Sequence, residues 1–116
     1  MNIFVKNFNS QLESLKSTEA ELDAINESVR NQPEMPSNTY FSGIITKVGR
    51  LKYNMPKGNS SLGKYANYAC AQKLSSDIQT LNYKFNRSLD GYRNADRIVP
   101  QLNDYKANKQ YSSMIR

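Results

Sequence analysis

The sequence predicts an all-α protein, an antiparallel helical hairpin of two long amphipathic helices with an irregular or short-helical middle segment. Apolar residues recur at alternating spacings of three and four in two stretches, which is typical of helices that pack along one side. Prolines separate the two stretches. The 116 residues, 38% of them hydrophobic, suffice for a thin core, so a single domain over residues 1–116 is expected.

The first amphipathic helix is predicted over about residues 3–31. Its apolar positions are Val5, Phe8, Leu12, Leu15, Leu22 and Val29. Glu19 and Asn26 occupy the two positions of the heptad pattern that are not apolar. Pro33 and Pro36 end the helix, because proline lacks a backbone donor and disfavours helical geometry in the residue before it.

The connector, about residues 32–60, contains the segment TYFSGIITKVGRLKYNM, which has two interpretations. Ile44 and Val48 suit a short helix, whereas the β-branched content together with Gly43 and Gly49 suits a small β-hairpin. The helical or irregular interpretation is favoured.

The second amphipathic helix is predicted over about residues 61–99, with Ser60 or Ser61 as its N-cap. Its heptad pattern has no break and consists of Ala71, Leu74, Ile78, Leu81, Phe85, Ser88, Tyr92, Ala95 and Val99. Pro100 is expected to end this helix, and residues 100–116 are expected to form a flexible tail, a short helix that frays into disorder.

A two-helix hairpin covers one stripe on each helix and leaves the flanks half exposed, so a helical protein partner is expected to complete the bundle. The predicted partner interface consists of Phe8, Leu12, Leu15, Leu22, Leu74, Ile78, Leu81, Phe85 and Tyr92. The charge supports a partner as well. Residues 1–49 contain four Lys/Arg and six Asp/Glu, whereas residues 50–116 contain twelve and four, which leaves surplus positive charge on the second half.

The composition argues against catalysis. The chain has no His and a single cysteine, Cys70, which is expected to be a small buried residue. His-based acid–base chemistry and His/Cys metal clusters are therefore excluded, and no Gly-rich phosphate loop is present. We predict no enzyme activity, no catalytic residue, no cofactor and no metal site. The first residues contain no apolar segment of the length that a Sec signal needs, so no Sec signal peptide is expected. No apolar run is long enough to span a bilayer, so no membrane insertion is expected either.

Nucleic-acid binding is the main alternative. The stretches GRLKY, NYKFNR and GYRNADR interleave basic and aromatic residues, as surfaces that stack single-stranded nucleic acid do. The basic residues of the second amphipathic helix are nevertheless scattered over its outer face, which is more typical of a face exposed to solvent. The alternative function is a basic helical nucleic-acid-binding protein or a phage-type accessory or adaptor protein.

The stretch LDGYRNAD contains the one short motif with a functional interpretation. Tyr92 and Asp96 are four residues apart and so lie on one side of a helix, where another molecule could contact both. The structural interpretation of the same spacing is a packed tyrosine next to a surface aspartate. By spacing alone the structural interpretation is the better one, because a two-residue pattern often arises by chance.

The chain resembles the small helical-hairpin proteins of bacterial type VII secretion, namely the W-x-G family and the small partners of LXG-domain toxins. Phe41-Ser42-Gly43 lies where that family carries W-x-G, and the stretch SLGKYANYACAQKLSSDIQTLNYKFNRSLDGYRNAD looks like the second helix of the LXG partners. The chain departs from the W-x-G proteins in having Phe41 in place of Trp and a long connector. The resemblance is therefore stronger to the LXG partners and covers roughly residues 60–96.

The resemblance implies a non-catalytic targeting factor or chaperone. Such a protein packs against the helical N-terminal domain of a secreted toxin, sometimes with a second small helical protein. Tyr92 and Asp96 would form part of a composite export signal. The protein would be cytoplasmic before export and secreted without a cleavable signal peptide.

Overall fold

The computed structural model describes residues 3–32, 36–58 and 62–115, with side chains described up to residue 101. The helices are α1 (Ile3–Arg30), α2 (Tyr40–Tyr53) and α3 (Ala69–Ile115), and a single 3₁₀ turn, Gly63–Tyr65, precedes α3. The described residues contain no strand, so the predicted all-α class is confirmed and the middle segment forms a helix rather than a β-hairpin. The chain is a rod of 75 × 18 × 18 Å.

The two long helices run parallel, which corrects the predicted antiparallel hairpin. Near the start of α1, the Phe4 ring lies 4.7 Å from that of Tyr65, just before α3. Near the end of α1, the Asn26 amide nitrogen donates to the Ser88 hydroxyl over 3.2 Å. Residue numbers therefore increase in the same direction on both helices.

The middle segment is the antiparallel element. The Phe41 ring, at the start of α2, lies 6.0 Å from the Tyr92 ring, whereas Lys52, near its end, donates to the Asn86 side-chain oxygen over 2.6 Å. Because α2 makes the return pass, α3 begins again at the end of the rod where α1 begins. The fold is therefore an up-down-up arrangement of three helices.

The heptad positions predicted for the second long helix, here called the α3 stripe, agree well with the residues that α3 buries in the core. Its buried hydrophobic positions are Ala71, Leu74, Leu81, Phe85, Leu89, Tyr92 and Val99, and only Leu89 was not part of the pattern. The buried stripe of α1 differs more, since it consists of Leu15, Thr18, Leu22 and Ile25. Glu19 is exposed and Asn26 is half-buried. The difference arises because α1 packs against two helices rather than one, which widens its buried face.

Both ends of α3 differ from the prediction of about 61–99. The helix begins only at Ala69, because Gly63 has φ +59 and residues 63–65 form the 3₁₀ turn. At the other end, α3 continues through Pro100 to Ile115, so the prediction that Pro100 ends the helix is wrong. Good helix formers such as Leu102 and Ala107 follow the proline and sustain the helix despite one lost hydrogen bond. Pro33 and the predicted caps Ser60 and Ser61 lie outside the described residues.

Gly58 closes the α2–α3 connection against α1. Its φ is +70°, a conformation that favours glycine, and its N–H donates to the Gln11 side-chain oxygen over 2.8 Å. A Cβ built on Gly58 would lie 3.4 Å from Ile78 Cδ1. The connection therefore depends on the glycine for its backbone conformation, whereas a Cβ at this distance would make ordinary van der Waals contact with Ile78.

We expect Gly58→Ala to lower the free energy of unfolding by about 1 to 2 kcal/mol, because alanine is strained at positive φ. Gly43→Ala is the control, since it lies within α2 with nothing near its Cβ and should raise that free energy by about 0.5 to 1 kcal/mol. Urea denaturation followed by circular dichroism measures both. Changes of the same sign would contradict this account of Gly58.

Candidate interaction site

Tyr92, one of the two residues of the predicted signal, belongs to the core. Its side chain is 9% exposed, and its ring stacks at 28° on that of Phe41. Its hydroxyl donates a hydrogen bond to the side-chain oxygen of Asn26. Tyr92 therefore joins α3 to both other helices, as the structural interpretation of the motif requires.

Burial also sets the protonation of Tyr92. Loss of solvent raises the pKa of its phenol above the ordinary value of 10.0. The nearby Tyr40 raises the pKa further, while the positive charge of Arg30 lowers it. The phenol is already neutral near pH 7, and the raised pKa extends this neutral form, which donates to Asn26, to higher pH.

Asn26 links α1 to α3, a role that its polar place in the heptad pattern does not by itself predict. It accepts from the Tyr92 hydroxyl and donates to that of Ser88, so one amide bridges two turns of α3. The signal in the sequence was a polar residue at a heptad position, a feature that often fixes how helices pair. Its partners, Ser88 and Tyr92, depend on the placement of α1 beside α3, which the pattern of α1 does not contain.

Asp96, the other residue of the predicted signal, lies one turn beyond Tyr92 and is partly exposed. Among the described residues its carboxylate has no hydrogen bond or ion pair. Its backbone carbonyl also lacks the usual helical donor, because residue 100 is a proline. Asp96 therefore offers acceptor groups to another molecule, whereas the hydroxyl of Tyr92 is bonded within the chain.

The residues predicted as a partner interface are covered by this chain's own helices. Six are buried in the core, namely Leu15, Leu22, Leu74, Leu81, Phe85 and Tyr92. Phe8, Leu12 and Ile78 are half-buried and pack against it. The large apolar side chains that are exposed in the described region are Ile3, Val5, Tyr53, Tyr68, Tyr83 and Ile98.

A groove of about 490 Å³ lies between α1 and α3, and we call it the α1–α3 groove. Its walls are Asn26, Val29, Arg30, Thr80, Tyr83, Lys84, Arg87, Ser88, Gly91 and Tyr92. Three of these residues are basic and none is acidic. The groove thus gathers residues of NYKFNR and GYRNADR, two of the three stretches in which basic and aromatic residues interleave.

A second groove, of about 700 Å³, separates α1 from α2. Small residues such as Ala24 and Gly43 leave this space between the helices. Its charged lining is mixed, with Glu21 from α1 and with Lys47 and Arg50 from α2. It therefore has no consistent electrostatic preference, unlike the α1–α3 groove.

Cys70 and the F-S-G motif differ from their expected environments. Cys70 is exposed rather than buried, because it lies in the first turn of α3, away from the stripe. Phe41-Ser42-Gly43 lies within the first turn of α2 and not in a turn between helices.

Among the side chains that the structure describes, no three Cys, Asp or Glu residues come together in a way that could hold a metal ion.

Comparison of the chain with protein-family models, curated proteins and solved structures finds no match. Within the described residues, no helix combines the length and the apolar character that crossing a membrane requires.

We expect Tyr92→Phe to lower the free energy of unfolding by about 1 kcal/mol, because it leaves Asn26 without its donor. In a double-mutant cycle with Asn26→Ala, the two changes should couple by more than about 0.5 kcal/mol. Tyr83→Phe is the control, since Tyr83 is 64% exposed and should tolerate the loss of its hydroxyl. Additive effects of the two core changes would argue against the hydrogen bond.

The stability contributed by Tyr92 should also depend on pH. Because folding raises the pKa of its phenol above 10.0, the contribution is fully present below about pH 10. It is lost as the pH rises towards the folded-state pKa, since the unfolded state gives up the proton first. The stability difference between wild type and Tyr92→Phe should therefore narrow above about pH 10, as measured by urea denaturation. A constant difference up to about pH 11 would contradict this expectation.

Proposed function

We propose that the chain is a non-catalytic, secretion-linked partner protein, a targeting factor or chaperone that packs against the helical N-terminal domain of a type VII secreted toxin. The observation that carries this proposal is the presentation of Asp96. Its carboxylate is partly exposed and unbonded within the described residues, one turn from a tyrosine that is fixed by contacts to α1 and α2. An unpaired acceptor on a helical turn that a well-packed neighbour anchors suits recognition by another protein.

Within this proposal the two residues of the signal have different roles. Tyr92 sets the position of the last turns of α3 through its bond to Asn26 and its stacking on Phe41. Asp96 provides the contact with the export machinery. The resemblance implies that Tyr92 and Asp96 form one signal. The burial of Tyr92 instead favours Asp96 as the residue that the export machinery contacts.

The length of α3 supports the proposal as well. Arg30 and Tyr40, at the facing ends of α1 and α2, lie near Tyr92. The helix continues from that level to Ile115, over about 34 Å at 1.5 Å per residue. Asp96 thus lies where α3 passes the ends of the other helices, which suits a joint surface formed with a bound partner.

We expect Asp96→Ala to retain the fold and the complex with the toxin domain but to abolish export. The chain is co-expressed with any toxin that a neighbouring gene encodes, co-purification reports the complex, and the amount of toxin in the culture medium reports export. Asp90→Ala is the matched control, because Asp90 is an exposed acid on the same helix that pairs with Arg93 at 3.6 Å. It should leave export unchanged.

Two results would count against the proposal. Failure of the wild-type chain to co-purify with any neighbouring helical toxin domain would remove the partner role. Loss of helical signal in Asp96→Ala would show that this residue supports the fold and is not a recognition contact.

A further inference from the structure

We infer that the α1–α3 groove is the docking site for an acidic helical segment of a protein partner. This inference rests on the proposed function and names the surface through which the partner would bind. It differs from the site of export recognition, because Asp96 does not line the groove.

Charge defines the occupant. Arg30, Lys84 and Arg87 line the groove without an acidic residue among its walls. Lys84 is held by Asp23 of α1 at 2.5 Å, and the Arg87 guanidinium lies 6.0 Å from the centre of the Tyr83 ring. The ring contact restricts Arg87 before binding, which lowers the entropy lost when a carboxylate pairs with it. Asp23 partly neutralises Lys84, so Arg30 and Arg87 carry most of the positive charge available to the occupant.

Shape favours a helix. The α3 wall has small side chains at Thr80, Ser88 and Gly91, and a Cβ built on Gly91 would meet nothing within 4 Å. Thr80 to Gly91 spans about 16 Å, which corresponds to about three helical turns. Tyr83, 64% exposed at the rim, offers an apolar face to the same occupant.

The neighbourhood of the groove disfavours nucleic acid. Asp23 and Glu27 both lie on α1, next to the wall that carries Asn26 and Arg30. A polyphosphate carries a charge at every nucleotide and would approach these carboxylates, whereas a peptide can place its acids only opposite the basic residues.

The test uses the full-length chain and a fluorescein-labelled amphipathic peptide that forms a helix with glutamates flanking a leucine stripe. Fluorescence anisotropy should show binding that weakens with salt, and the same peptide with lysines in place of the glutamates should not bind. The double variant Arg30→Glu/Arg87→Glu should weaken binding by at least about tenfold. Gly91→Gln should weaken it too, because its side chain would occupy the open space beside Tyr92.

The matched control is Arg93→Glu/Arg97→Glu, which makes the same charge change on α3 outside the groove and should bind almost as the wild type does. Equal loss of peptide binding in both double variants would overturn the assignment of the groove as the docking site, because such a loss would reflect net charge alone. Binding of a labelled single-stranded DNA 15-mer through Arg30 and Arg87, without binding of the acidic peptide, would overturn it in favour of nucleic acid. Circular dichroism verifies that each variant is folded.

Co-purification separates this inference from the proposed function. If the toxin domain co-purifies equally with wild type and with Arg30→Glu/Arg87→Glu, the groove is not the docking site, although the partner role stands. If the domain binds the wild type and is lost from this variant but not from the Arg93→Glu/Arg97→Glu control, the groove is the docking site.

Discussion

The fold depends on covering the apolar stripe of α3, whose buried part runs from Ala71 to Val99. A single straight helix covers only one flank of such a stripe, and Phe85 and Leu81 are buried almost completely. The second flank is covered by α2, which is only 14 residues or about 21 Å long. Since the chain must return along the rod to place α2 there, α3 starts beside the beginning of α1. Parallel long helices are therefore a consequence of the helical connector.

A polar bridge complements this apolar core. The Asn26 amide joins Ser88 and Tyr92 across the α1–α3 interface, where most contacts are apolar and non-directional. Sliding α1 by one turn would retain much of the apolar burial but would separate the amide from the phenol. Each buried group left without a partner costs about 1 to 3 kcal/mol, which is enough to select one alignment of the helices. The Asn26 bridge thus specifies one alignment of α1 against α3, which the apolar contacts of the leucines do not.

Features of the fold that depend on local sequence pattern could be predicted from the sequence, whereas features that depend on the placement of another helix could not. The α3 stripe was predicted almost residue by residue, because an uninterrupted spacing of three and four determines a helical face wherever that helix packs. The α1 stripe was shifted towards Thr18 and Ile25, since its orientation depends on a third helix that the sequence left ambiguous. The parallel direction and both grooves could not be predicted, because they arise from the placement of α2. The local rule about proline does not predict that α3 continues through Pro100, because the helix formers on either side compensate for one lost hydrogen bond.

The stretch LDGYRNAD shows how one helical segment serves separate purposes. Successive residues of a helix point about 100° apart, so neighbours in sequence face different surroundings. Leu89 and Tyr92 face the core, Gly91 faces the α1–α3 groove, and Asp96 is partly exposed one turn further along. The packed tyrosine holds the turn in place, and this allows the glycine and the aspartate to present fixed surfaces on either side of it. A substitution at Tyr92 would therefore disturb the groove and the position of Asp96 together, whereas changes at Gly91 or Asp96 would each affect one surface.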